Sequence, residues 1–138
     1  MIAVAIVVVL AAVALPSFFD SLYKSRRTEA FTAISAVQLA QERWRSNNTN
    51  YSSDLAGLGI PSATTSPGGY YTLAVATETA TAGTQYVVTA TAVTGKSQVK
   101  DGNCARLAVR VSGAQIEYGS CATCSTFTFA ESDVCWKR

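Results

Sequence analysis

Residues 1–15, MIAVAIVVVLAAVAL, carry no charged or polar side chain, and such a run is hard to place inside a small soluble fold. As an α-helix it is roughly 22 Å long, short of the roughly 30 Å hydrocarbon core of a bilayer. A secretory signal ends in a small-residue cleavage site, whereas this run passes directly into Pro16 and then into an amphipathic pattern. A helix that is apolar on every face needs protein all around it. A chain of 138 residues builds one modest core and can hardly supply that cover. The remaining reading is a helix held by a membrane or by other copies in an assembly.

From Ser17 the helical pattern continues with a different composition. Ala30, Ile34, Val37, Ala40 and Trp44 recur at spacings of three and four, with Leu22 and Phe31 near the same face. Lys24, Arg27, Glu29, Gln38 and Arg45 take the other positions, and Asp20 precedes Lys24 by one turn, a supportive arrangement. Asn47, Asn48, Thr49 and Asn50 then offer side chains that compete for the backbone and stop the helix. One helix over about residues 1–47 would be roughly 70 Å long. A head of this size cannot cover it, so the expected division is a protruding apolar helix, 1–16, and a globular unit, 17–138. Pro16 removes one backbone donor and predicts a kink or a local break.

Residues 49–69 are rich in Ser, Thr, Gly and Pro and read as a surface connection with one short turn near Leu55. Two N-glycosylation patterns, at Asn47 and Asn50, are best explained as chance matches in an Asn/Ser/Thr-rich stretch. Strand patterns follow at 70–77 and 85–93, with a turn around Gly83. In 104–111, Leu107, Val109 and Val111 alternate with Arg106 and Arg110, and Gly113 turns the chain into a fourth strand at 114–118. Four antiparallel strands on the amphipathic half of the helix predict a two-layer α+β domain. Beyond residue 119 only 125–129, STFTF, has strand character.

Histidine is absent, which excludes His-based triads, metal sites and pH switches. Charged residues are only 14% and the net charge is +2, so bulk charge alone does not argue for a nucleic-acid or anionic-membrane binder. Lys96, Lys100, Arg106, Arg110, Lys137 and Arg138 could form a basic patch, though a solvated face is the better reading. Asp101, Glu131 and Asp133 are too sparse to argue a calcium site. The four cysteines, Cys104, Cys121, Cys124 and Cys135, all lie near the C-terminus and read as disulfides made outside the cytoplasm. Three pairings are possible. Cys104 with Cys135 and Cys121 with Cys124 is favoured over the two shorter loops 104–121 and 124–135, because a long bridge constrains more chain.

The N-terminal residues also carry a resemblance. The apolar run ending in Ala14-Leu15-Pro16-Ser17, then Phe18, Tyr23 and the string Ser25-Arg26-Arg27-Thr28-Glu29-Ala30, resembles type IV pilins of the type IVa class. Fainter similarity in Gln41-Glu42-Arg43-Trp44, Gly69-Tyr70-Tyr71-Thr72-Leu73 and Cys135-Trp136 points to the PilE-like minor pilins of that class. The resemblance implies a long curved helix, an αβ-loop, a four-stranded antiparallel sheet and a disulfide-bounded region near the C-terminus. It further implies a structural subunit, with no catalysis, cofactor, metal or small-molecule substrate. Such a subunit waits in the inner membrane and then polymerises with other pilins into an extracellular helical filament. The filament serves adhesion, twitching motility or DNA uptake, so surface or DNA contact follows as a possible partner. The residues placed in the assembly helix are Met1, Ile2, Val4, Ile6, Val8, Leu10, Val13 and Pro16. Family members begin with a methylated residue and carry a glutamate upstream of the position of Met1. About six further residues would bring the apolar segment close to spanning length. Val8 stands where the family often has glycine, which leaves Pro16 as the expected weak point of the helix.

Two other readings are weaker. A secretion-system pseudopilin shares the helix but usually lacks the C-terminal disulfide loop. A membrane-tethered thiol redox protein would use Cys121-Ala122-Thr123-Cys124, yet no helical pattern follows to lower a thiol pKa, and a zinc site would need Cys104 and Cys135 as well. If neighbouring copies bury the apolar helix, each burial repeats at about 25 cal/mol per Å². Leu10→Asp is then expected to abolish filament incorporation while the head still folds; normal piliation of that mutant in electron micrographs would sink the reading.

Overall fold

The structure is a computed structural model that describes residues 2–60, 65–78 and 80–137. One long helix, α1 (Ile2–Arg45), is followed by four strands, β1 (Tyr71–Ala76), β2 (Gln85–Ala92), β3 (Arg106–Ser112) and β4 (Gln115–Cys121). The strands form one antiparallel sheet in the order β1-β2-β3-β4, with every strand beside its sequence neighbours. Helix packed on a four-stranded sheet is the expected α+β architecture. The helix assignment runs through Pro16 without a break; the proline removes one donor in the helix interior, and the bonds on either side carry the helix across it.

The helix face that meets the sheet is made of Ala30, Ala33, Ile34, Val37 and Ala40, all buried. Small residues there bring the helix close, and the sheet answers with Tyr71 and Leu73 from β1, Tyr86, Val88 and Ala90 from β2, and Leu107, Val109 and Val111 from β3. Period-two alternation puts these on one face in register, Val88 opposite Val109 and Ala90 opposite Leu107. Gln41 is the one polar side chain in the helix's buried stripe. Its Nε2 donates to the Ser52 carbonyl at 2.6 Å, and Ser52 N–H donates back to its Oε1 at 3.0 Å. That reciprocal pair pins the loop after the helix, and Tyr51 packs on Tyr86 with ring centroids 4.5 Å apart. The expected turn near Leu55 is present, with Asp54 accepting from the N–H groups of Ala56 and Gly57.

The β3–β4 hairpin turns at Gly113, whose φ of 58° suits a tight hairpin of the strands' own twist. The outer face of the sheet is not bare. Residues 125–130 form no strand, contrary to the strand character of STFTF, and pair with the β4 backbone through an isolated bridge from Tyr118 to Ala130. They lie across the outer face so closely that a Cβ on Gly119 would stand 3.0 Å from the Thr128 carbonyl and 3.3 Å from Phe127. Two layers therefore become three over β3 and β4, which explains why Ala108, on the outer face, is fully buried.

Cys104 is bonded to Cys135 and Cys121 to Cys124. Cys135 sits in a 3-10 helix, Val134–Trp136, whose preceding Asp133 accepts from Cys135 N–H and from the Ser120 hydroxyl. Trp136 then stacks on Phe31 of α1, centroids 4.7 Å apart, and donates its indole N–H to the Gly119 carbonyl. The bond between residues 31 apart should contribute about 3–4 kcal/mol by loop closure, and the one between residues 3 apart about half as much. Chemical denaturation of Cys104→Ser/Cys135→Ser and Cys121→Ser/Cys124→Ser double variants is expected to show that order; equal losses would refute it.

Candidate functional site

Consecutive residues of a helix point about 100° apart, and the turn from Tyr23 to Glu29 uses this to hold two separate loops. Glu29 reaches the end of the αβ-loop, where its Oε1 accepts from Gly68 N–H at 2.6 Å. A Cβ at Gly68 would lie 2.5 Å from the other Glu29 oxygen, so any larger residue there would push the Glu29 carboxylate aside. Ser66 closes the same loop by accepting from Tyr71 N–H through its hydroxyl and from Gly69 N–H through its carbonyl. The chain then presents Tyr70, half-buried, at the start of β1.

The second loop joins β2 to β3 and contains a 3-10 helix, Ser97–Lys100. Both ends of this short helix are gripped by α1. Arg26 donates to the Ser97 hydroxyl, and its guanidinium lies 4.4 Å from the centre of the Tyr70 ring. Lys96 Nζ lies 5.9 Å from the same ring. Arg27, next in sequence, turns inward: its Nε donates to Asp101 Oδ2 at 2.6 Å and a second nitrogen to Oδ1. Gln98 Nε2 donates to Asp101 Oδ2 at 2.5 Å and to the Tyr23 carbonyl at 3.3 Å. Asp101 is 4% exposed and Gln98 fully buried. The hydrogen bond to Asp101 raises the Arg27 pKa above its already high ordinary value, so the guanidinium stays charged. Burial, helped by Asp101, pushes the adjoining Tyr71 phenol well up as well. That hydroxyl has no well-formed hydrogen bond of its own.

The result is a surface where Arg26 and Lys96 lie over one aromatic ring, with exposed Lys100 at the far end of the same 3-10 helix and no carboxylate paired to any of the three among the described residues. Such a group can grip phosphate oxygens while the ring and hydroxyl of Tyr70 and the hydroxyl of Ser97 supply directional contact. The six-residue basic patch considered from sequence is not assembled. Lys96 and Lys100 belong to this surface, but Arg106 and Arg110 lie on the outer sheet face, over the rings of Phe127 and Phe129 at 5.2 and 4.5 Å. Arg106 also donates to the Cys124 carbonyl and Arg110 pairs with Glu117. Lys137 lies on the other side, lining a cavity of about 450 Å³ with Lys24, Arg27 and Phe31. Arg138 falls outside the described residues. Arg26 and Tyr70 were quoted in sequence only as marks of resemblance, and nothing in the pattern tied them to Lys96.

The other sequence candidates are placed as follows. Asp101 and Asp133 serve Arg27 and the Cys135 turn, and no cluster of metal-ligating side chains occurs among the described residues. Cys121 ends β4 and no helix starts at the Cys121–Cys124 pair, so the local field that activates a thiol is missing. Val4, Ile6 and Leu10 are exposed, Leu10 by 64%, as are Val7, Phe18 and Phe19. Met1 and the side chains of Ile2, Val8, Val13 and Pro16 lie outside the described residues. No helix among the described residues is long and apolar enough to cross a membrane.

No curated protein matches the chain. A family model described as type IV minor pilin ComP, DNA uptake sequence receptor, matches residues 16–108, well over half of the chain and a stretch that includes both loops held by α1. Arg106→Ala and Arg110→Ala, which strip cations from aromatic faces, are each expected to destabilise the head by about 1–2 kcal/mol. An unchanged urea midpoint in both would show that this face is merely solvated.

Proposed function

Because the chain belongs to the type IV minor pilin family, we propose that it is a non-enzymatic, pilus-associated subunit that contacts double-stranded DNA through Arg26, Tyr70, Lys96, Ser97 and Lys100. The observation that carries this reading is the concentration of uncompensated cations around one aromatic ring, on a protein whose net charge is only +2. Duplex DNA presents a dense row of phosphates, and each one neutralised by Lys or Arg releases counterions. A small cluster is enough for a weak, salt-sensitive grip, and copies repeated along or at the end of a filament would multiply it. The family's description as a DNA uptake sequence receptor points to the same ligand.

The subunit reaches the filament through its apolar helix. Val4, Ile6, Val7, Leu10, Phe18 and Phe19 are exposed apolar side chains of this helix, and Met1, Ile2, Val8, Val13 and Pro16 belong to the same segment. Lipid covers this segment before assembly and other pilin helices cover it afterwards. The protruding helix, 1–16, is thus the anchoring unit and residues 17–138 the unit that meets DNA.

The test is fluorescence anisotropy of a labelled duplex with the full chain in detergent micelles across a salt series. Binding should weaken linearly in the logarithm of salt, and Lys96→Ala and Lys100→Ala should each reduce that slope by about one. Because both side chains are exposed, neither variant should shift the urea midpoint. Absence of salt-dependent duplex binding, or lysine variants that bind like the parent, would overturn the proposal.

A further inference from the structure

We propose that Arg27, Asp101 and Gln98 form a latch that positions the DNA-contacting loop, making them positioning residues for the contact; the assignment to DNA rests on the reading above. The Arg27–Asp101 pair joins residues 74 apart in sequence and the Gln98–Tyr23 bond residues 75 apart, so both tie the β2–β3 connection directly to α1. A connection of this length would otherwise sample many conformations. Its cations would then have to be ordered at the moment of binding, at the expense of affinity.

The clamp is two-sided. Arg26 holds Ser97 at the first residue of the 3-10 helix Ser97–Lys100, and Arg27 holds Asp101 immediately after its last. Lys96 precedes that short helix and Lys100 is its last residue, so the latch sets their spacing and the distance of Lys96 from Tyr70. Two adjacent arginines therefore divide the work: Arg26 faces outward over the ring, and Arg27 faces inward to a carboxylate.

Stability alone does not account for this arrangement. A buried ion pair is often no more stabilising than apolar side chains of similar volume, and its best-attested use is to select one arrangement among several. Here Asp101 is almost fully buried and Gln98 completely so, in a head that otherwise buries few polar side chains, Gln41 chief among them. Gln98 makes both of its donor contacts within the latch. The sequence string Arg26-Arg27-Thr28-Glu29 thereby acquires a mechanical meaning: it holds two loops, one through Glu29 and Gly68, the other through Arg27 and Asp101.

The test is a mutant cycle. Asp101→Asn and, as the milder change that leaves the ion pair intact, Gln98→Ala are measured for duplex affinity in the parent and in a Lys96→Ala/Lys100→Ala background, well below the melting temperature. In the parent, Asp101→Asn should weaken binding about tenfold and Gln98→Ala less; in the double-lysine background either change should add less than about twofold. Equal losses in both backgrounds, or lower stability with undiminished affinity, would assign these residues a purely structural role and overturn the latch. Hydrogen exchange supplies a readout independent of DNA: amides 96–101 should exchange faster in both variants while β2 and β3 stay protected. Unchanged exchange there refutes the latch even if DNA binds. Accelerated exchange in a chain that binds no DNA keeps the latch and refutes the DNA reading alone.

Discussion

The close seat of α1 on the sheet is the contact on which the rest of the head depends. Ala30, Ala33 and Ala40 leave room along the helix for the rings of Tyr71 and Tyr86 beneath it. Larger residues would lift the helix and open the core. The same seat fixes where each loop must go, because the helix offers polar side chains on both flanks of its apolar face. Gln41 takes the loop after the helix, Glu29 takes the end of the αβ-loop, and Arg26 with Arg27 takes the β2–β3 connection. A helix that is apolar below and polar at its margins thus acts as a spine for three otherwise irregular segments.

Periodic features were the legible ones. The long helix, its inward face and the four strands follow from spacings of three and four and from alternation, since a slip of one residue in a strand would turn its apolar set to solvent. Arg106 and Arg110 show the limit of that logic. Alternation correctly put them opposite Leu107 and Val109, but alternation has no knowledge of what covers the other face. Residues 125–130 do so without forming a strand, so two candidate DNA-contacting cations became packing elements. The loop-borne surface was harder still, because Arg27 and Asp101 are far apart in sequence and neither position has a period.

The helix string was visible from the start, yet only as a resemblance. Its chemistry became readable once Gly68 was found against Glu29 and Asp101 against Arg27. Two carboxylates too sparse to suggest a metal site are partners for a guanidinium (Asp101) and for the Cys135 N–H and the Ser120 hydroxyl (Asp133). Sparse charge in a weakly charged chain is thus informative in its own way: buried Asp101 and half-buried Asp133 each have specific partners, and the cations left over mark the surface available to an outside ligand.

The meander order of the sheet bears on how the chain acquires its shape. Every strand pairs with its sequence neighbour, so most sheet contacts are short-range and the entropy of closing each loop stays small, conditions that favour rapid folding. The segment after β4 is different. It must return across a sheet already formed, lay Phe127 and Phe129 against Arg106 and Arg110, and bring Cys135 back to Cys104. Oxidation of that pair then works as a closing step, sealing the segment after β4 onto a head that is otherwise complete.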